Sequence, residues 1–384
     1  MRRGLGSALI LGLLSSCASP PAGPPPAPPT PTAPAPPPAA LPSFPVPAEA
    51  FERARARWIP ADWADLPGWA DDRVAEFWPA LQNSCTRPAA GWAELCARVL
   101  LDPPADEAAA RRWLSAWLRP WRVEGLDGGA DGLITGYFEP LIEARRTPRD
   151  GYRVPLHGVP PELATQRWTR QQLDTLPAAM NALRGREIAF VADPLDALVL
   201  QIQGSGRLRF TEADGSQQTV RLAFAGHNDQ PYRSVGRWLV ERGEMSLEAA
   251  SWPAIKAWAR LNPKRVQEML WANPRVVFFR EEPLPDPGAG PRGAQGVPLV
   301  PGRSIAVDTG SVPYGTPVWL DTTEPLSNTP LRRLVMAQDT GSAIVGAVRA
   351  DFFWGWGDDA EARAGRMKQP LRVWVLWPRW QRPG

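Results

Sequence analysis

Histidine is nearly absent: the 384 residues hold two, His157 and His227, beside three cysteines. That scarcity excludes most nucleophile and metal chemistry. A Ser-His-Asp triad needs a histidine beside an activated serine. No G-x-S-x-G turn occurs, and Gly204-Ser205-Gly206, the nearest approach, lacks its spacing. A zinc site needs more His and Cys ligands at workable separations than the chain contains. There is no Walker loop and no G-x-G-x-x-G between a strand and a helix, so the expectation is chemistry with no cofactor and no metal. The net charge is only +3, with no dense Lys/Arg run interleaved with aromatics, which argues against nucleic acid as a partner.

What is present divides along the chain. Arg2 and Arg3 precede an apolar run from Leu5 to Leu14, followed by Ser15, Ser16 and Cys17. This is the order of a secretion signal, and the run is too short to span the ~30 Å hydrocarbon core of a bilayer. Leu14-Ser15-Ser16-Cys17 resembles the lipobox of bacterial lipoproteins, which implies residues 1–17 as a signal ending in an acylated Cys17. No Asp follows that cysteine, which implies an outer-membrane lipoprotein facing the periplasm, with membrane lipid as a partner. Residues 18–47 are mostly Pro and Ala and read as a polyproline II tether, able to reach on the order of 80 Å. The remaining cysteines, Cys85 and Cys96, would sit in a compartment that permits a disulfide, and the sequence leaves open whether they are bonded or simply buried.

From Ala48 to about Trp121 the pattern is helical. Val74, Phe77, Trp78 and Leu81 share one face, and a second helix is expected from about Pro104 to Leu118, capped by Asp102 and stopped by Pro120. Tryptophan at such spacing is expected to serve the core before any sugar. From Gly132 short β-type runs appear, such as Leu198–Ile202 and Thr219–Leu222. Ser234 to Leu270 returns to helix, with Leu239, Ile255, Trp258 and Leu270 as apolar contacts. Strands then resume at Arg275–Phe279, Ser304–Val307, Thr316–Leu320, Arg333–Ala337 and Leu371–Trp377, which suggests a small barrel.

Carboxylates remain as the reactive groups. Asp308, Asp339 and Asp351 each adjoin an apolar run, where a strand is expected to hand over to a loop and present a side chain to a cleft. Asp308 and Asp339 each open an Asp-Thr-Gly-Ser tetrapeptide, which raises an aspartic protease as a rival reading. About thirty residues separate them, too few for the two lobes such an enzyme needs.

The wider context resembles a different family. Gly302–Asp308, Pro313–Val318, Ala337–Gly346 and Asp351 resemble the three-aspartate (3D) module of murein-cleaving enzymes. Thr135–Pro140, Gln203–Gly206, Ala225–Asn228, Tyr232–Gly236 and Asn273–Phe279 extend the likeness to the membrane-bound lytic murein transglycosylase A (MltA) family. The resemblance implies a mainly β fold with N-terminal helices. Residues 48–140 and 283–384 would form a double-psi β-barrel domain, with a second β-rich domain inserted at 141–282 and a substrate groove between them. It implies peptidoglycan glycan strands as substrate, a wall-remodelling complex as a further partner, and Asp351 as catalytic acid. Asp339, Asp308, Thr135, Tyr137, Glu139, Gln203, Gly204 and Ser205 would be supporting or substrate-binding residues.

The chemistry agrees with that likeness. An ordinary glycosidase needs two carboxylates. A lytic transglycosylase needs one, because the muramic C6 hydroxyl attacks the anomeric carbon itself. Asp351 beside Phe352, Phe353 and Trp354 suits the task, since an apolar setting raises a carboxyl toward neutrality. A non-catalytic peptidoglycan-binding lipoprotein is the alternative.

Overall fold

The computed structural model describes residues 49–211 and 214–383, so the signal, Cys17 and the whole Pro/Ala tether lie outside the described residues. Strands β1 (Phe51–Glu52) and β2 (Arg57–Pro60) come first, then helices α1 (Trp78–Cys85), α2 (Ala93–Leu101) and α3 (Glu107–Trp117). The expected helical stripe forms. Val74 and Phe77 lie on a 3-10 turn leading into α1, and they are buried with Trp78 and Leu81. A disulfide joins Cys85 at the end of α1 to Cys96 in α2.

The second expected helix starts later than its prolines suggested. Asp106 caps α3, accepting from the Ala109 N–H at 2.7 Å, whereas Asp102 follows the last turn of α2. Pro103 and Pro104 therefore connect two helices. Pro120 stops nothing: the chain leaves α3 at Trp117 and runs straight into β3 (Leu118–Glu124), with Pro120 inside that strand.

After β4 (Gly132–Glu139) comes a region of alternating strands and helices. Its strands are β5 (Leu141–Ala144), β6 (Val154–His157), β7 (Glu187–Val191), β8 (Gly206–Thr211), β9 (Gln217–His227) and β10 (Val277–Pro283). Its helices are α4 (Arg170–Thr175), α5 (Pro177–Leu183), α6 (Pro194–Gln203), α7 (Val235–Glu241), α8 (Trp252–Leu261) and α9 (Val266–Ala272). The region is therefore as much helix as strand, which corrects the β-rich expectation. Leu198–Ile202, read as a strand, lies within α6. A short apolar segment such as Leu198-Val199-Leu200, buried on successive faces of a helix, shows no period that separates it from a strand. The caps carried the information instead: Asp193 accepts from the Leu195 N–H at 2.8 Å, Pro194 opens the helix, and Gly204 closes it at φ +81°. Leu239, Ile255, Trp258 and Leu270 are buried on α7 to α9 as expected.

The C-terminal strands are β11 (Ser304–Val307), β12 (Thr316–Thr323), β13 (Pro330–Asp339), β14 (Arg349–Trp356) and β15 (Lys368–Pro378), with α10 (Asp358–Ala364) before the last. They join β4 in a closed circuit, β4-β15-β12-β13-β11-β14 and back to β4. Two of its pairings, β11 with β13 and β14 with β4, are parallel. Strand β15 closes the circuit by changing partners along its length: Lys368–Leu371 pair with β4, and Arg372–Val375 pair with β12. Trp58, Trp319, Trp374 and Trp377 fill the core packed on this ring, so the indoles serve packing as expected. Among the described residues no helix is long and apolar enough to cross a membrane.

Candidate active site

The site begins with a register. Strand β4 runs parallel to β14 with Thr135 opposite Asp351 and Tyr137 opposite Phe353. Side chains two apart on a strand share a face, so Thr135 and Tyr137 stand side by side on β4, as do Asp351 and Phe353 on β14. The Thr135 hydroxyl lies 2.7 Å from Asp351 Oδ1, and the Tyr137 and Phe353 rings pack with centroids 5.2 Å apart. Gly136, on the opposite face, has no room for a side chain: an added Cβ would lie 2.7 Å from Trp354 Nε1 and 2.8 Å from Ala364 Cα.

Proton positions follow from the donors. Arg349 Nη2 donates to Thr135 Oγ1 at 2.9 Å, so the threonine's own hydrogen is directed to Asp351 Oδ1. Oδ1 is thereby occupied as an acceptor, and the proton of a neutral Asp351 belongs on Oδ2. Burial pushes the Asp351 carboxyl up to about 6, the Thr135 hydrogen bond and the Arg349 charge act downward, and the charge of Asp339 adds to the rise. Buried Phe352 and Phe353 supply the apolar setting expected from the sequence.

Asp339 ends β13, as expected, and is fully engaged. Tyr137 donates to Oδ2 at 3.1 Å, and the N–H groups of Ala294 and Thr340 donate to Oδ1 at 2.9 Å each. Burial raises this carboxyl too, against those three hydrogen bonds. Tyr137 is held well above its ordinary range by burial and by the two neighbouring carboxylates.

Thr135, Tyr137, Asp339 and Asp351 open into a cleft of about 940 Å³ whose other wall comes from the region between β4 and β10. Gln203, Gly204 and Ser205 line it as well. The Gln203 Oε1 accepts from the Phe138 N–H at 3.1 Å, tying the end of α6 to β4. Among the described residues no tryptophan lines the cleft. Among the described residues no group of three or more His, Cys, Asp or Glu is placed to hold a metal.

Three sequence expectations change here. Asp351 is not at a strand end but is the third residue of β14, a strand whose first residues, Arg349 and Ala350, form no apolar run to announce it. Asp308 follows β11 as expected but lies outside the cleft lining. Its carboxylate takes the N–H groups of Gly310 and Gly346 at 2.9 Å and pairs with Arg55 at 3.2 Å. The two Asp-Thr-Gly-Ser carboxylates thus face different partners, and the geometry removes the protease dyad. Glu139 is not a cleft residue either. Fully buried, it sits between Arg221 Nε at 2.6 Å and Arg207 Nε at 2.8 Å, an ion-pair knot joining β4 to β8 and β9. Sequence reasoning missed Arg349. Once β14 is recognised, its place two residues before Asp351 puts it on the same face.

The family model described as MltA specific insert domain matches residues 133–280, and the 3D domain model matches 303–377. The membrane-bound lytic murein transglycosylase A of Vibrio cholerae is 33% identical over 263 residues, covering 66% of this chain and 68% of its own. Among solved structures, the lytic transglycosylase LtgG of Burkholderia pseudomallei shares 45% identity with a TM-score of 0.58, covering 88% of this chain and 99% of its own. MltA from Neisseria gonorrhoeae shares 30% identity with a TM-score of 0.76, covering 90% and 98%. At these identities and coverages, and with both family models matching around the cleft, the chain belongs to the membrane-bound lytic murein transglycosylase A family.

Proposed function

We propose that this chain is a murein lytic transglycosylase that cuts the β-1,4 bond between N-acetylmuramic acid and N-acetylglucosamine with Asp351 as acid and then base. Protonated on Oδ2, Asp351 gives its proton to the glycosidic oxygen, and the bond from that oxygen to the muramic anomeric carbon breaks. The carboxylate then takes the proton of the muramic C6 hydroxyl as that oxygen bonds to the same carbon, closing a 1,6-anhydro ring and restoring the acid.

The observation that carries the reading is the unequal treatment of the cleft's two carboxylates. Asp351, pushed up to about 6, keeps one oxygen free of the hydrogen bonds that hold its neighbour, whereas Asp339 accepts from three donors. A group near 6 is protonated often enough to act as acid at neutral pH and basic enough to recover the proton. Asp339, held in place, steadies Tyr137 and raises Asp351 by its charge.

The cleft is the glycan groove in this reading. The closed six-strand circuit with its two parallel pairings supports a double-psi β-barrel made from 48–140 and 283–384, with 141–282 inserted. Thr135, Tyr137, Gln203, Gly204 and Ser205 face the sugar, and Asp308 supports the loops behind it. Acylation at Cys17, with 18–47 as the spacer, makes the protein an outer-membrane lipoprotein that reaches peptidoglycan from the periplasmic side. Digestion of sacculi in heavy-oxygen water tests the reaction class: internal attack leaves the new ends unlabelled, and a hydrolase would label them.

A further inference from the structure

Arginine is the dominant charge of the cleft. Arg87, Arg275, Arg280, Arg292 and Arg349 line it, against the two carboxylates Asp339 and Asp351. Arg349 is committed to Thr135, and Arg280 pairs with Glu282 at 2.7 Å. Arg87 and Arg292 are different. They meet at Gly296, whose carbonyl accepts from Arg292 Nη1 at 3.0 Å. Arg87 also approaches Gly296 closely: its Nη1 would lie only 2.3 Å from a Cβ added at this position, and the backbone φ of +83° itself favours glycine. Arg87 sits two residues past Cys85, and Gln295 Nε2 donates to its carbonyl at 3.2 Å, so the disulfide-tied end of α1 fixes the loop that carries it.

Both side chains are exposed at the cleft, so water moderates their repulsion, and together they leave a positive patch beside one glycine that is open to an anion. Neither takes part in an ion pair among the described residues, although arginine to carboxylate pairs occur throughout the rest of the molecule. The place is close to the chemistry along the chain: Ala294, two residues from Arg292, donates its N–H to Asp339.

We infer that Arg87 and Arg292 form a carboxylate-binding subsite that recognises an acidic substituent on the glycan near the bond to be cut. The inference rests on the glycan reading above and extends it from the sugar backbone to what the sugars carry. Guanidinium is suited to a planar carboxylate through paired N–H donors. On a murein strand that carboxylate is either the free lactyl group of muramic acid or an acid of the peptide stem. Both are absent from a plain N-acetylglucosamine polymer.

Titration calorimetry on the full chain carrying Asp351→Asn tests this with three ligands. They are chitohexaose, an alternating N-acetylglucosamine and N-acetylmuramic acid oligomer with free lactyl groups, and the same oligomer bearing its stems. Arg87→Gln and Arg292→Gln are each expected to weaken binding of a carboxylated oligomer about tenfold at low salt, leaving chitohexaose unchanged. The unchanged chitohexaose isotherm also shows that the variants fold. A loss with the unsubstituted oligomer assigns the subsite to the lactyl group, and a loss confined to the stem-bearing oligomer assigns it to the peptide. Equal weakening of chitohexaose, or unchanged binding of both carboxylated oligomers, overturns the inference. If the unsubstituted parent protein cuts no murein while the carboxylate preference persists, the catalytic reading fails and the subsite stands.

Discussion

Thr135 and Asp351 face each other across a parallel strand pair, and the threonine hydroxyl, itself receiving Arg349 at 2.9 Å, points its hydrogen at Asp351 Oδ1 over 2.7 Å. One contact therefore decides which oxygen of the acid carries the proton and offsets part of the rise that burial imposes.

Thr135→Val removes that hydrogen bond and keeps the β-branched shape. The bond lowers the Asp351 pKa, so its loss raises it. The alkaline limb of the kcat/KM profile, which falls as Asp351 loses its proton above about 6, is expected to move to higher pH. With the acid no longer held, kcat drops on the order of tenfold to a hundredfold. A pH series on soluble murein fragments measures both.

Asp351→Asn should stabilise the fold at pH 7.5 by up to about 3 kcal/mol. The folded-state value, about 6, lies above the ordinary carboxyl value of 3.8, so the native protein binds the extra proton between those pH values. The stability contributed by that proton is full below 3.8 and is lost as pH rises to about 6, beyond which the charged buried acid is a cost the amide avoids. Thermal melts at pH 7.5 should show the variant melting higher, and melts at pH 3.5 should show the two converging.

Glu139→Gln leaves Arg207 and Arg221 buried with only half their partner. The loss is expected to be about 3 kcal/mol or more, read as a lower denaturant midpoint.

Gly136→Ala inserts a methyl where Trp354 and the α10 backbone already touch β4. A cost of about 1–3 kcal/mol is expected from the displacement. Activity should fall with it, because Thr135 and Tyr137 flank the displaced residue; guanidinium melts and murein turnover on one preparation test the two together.

Part of the site was readable from residue order. Asp351 and Asp339 stood out by the apolar runs beside them. Thr135 and Tyr137 entered through the resemblance to the MltA family that residues 135–140 carry, and their pairing with β14 is seen only in the fold. What escaped the sequence depended on partners distant in the chain. Glu139 belongs to the same motif as Tyr137 but is the last residue of β4, and only the arrival of Arg207 and Arg221 from β8 and β9 makes it an ion-pair knot. The β14 strand is held by β4 and β11, so its start at Arg349 has no apolar run to mark it. The short apolar run of α6, Ala197–Leu200, fits strand and helix equally, and the capping residues Asp193 and Gly204 settle the matter.

Mass spectrometry of sacculi digested by the unsubstituted protein and by the Asp351→Asn variant tests the central claim most directly. The account predicts 1,6-anhydromuramic acid ends from the first and none from the second, which remains folded. Reducing muramic acid ends from the unsubstituted protein, or anhydro ends that persist in the variant, would contradict it.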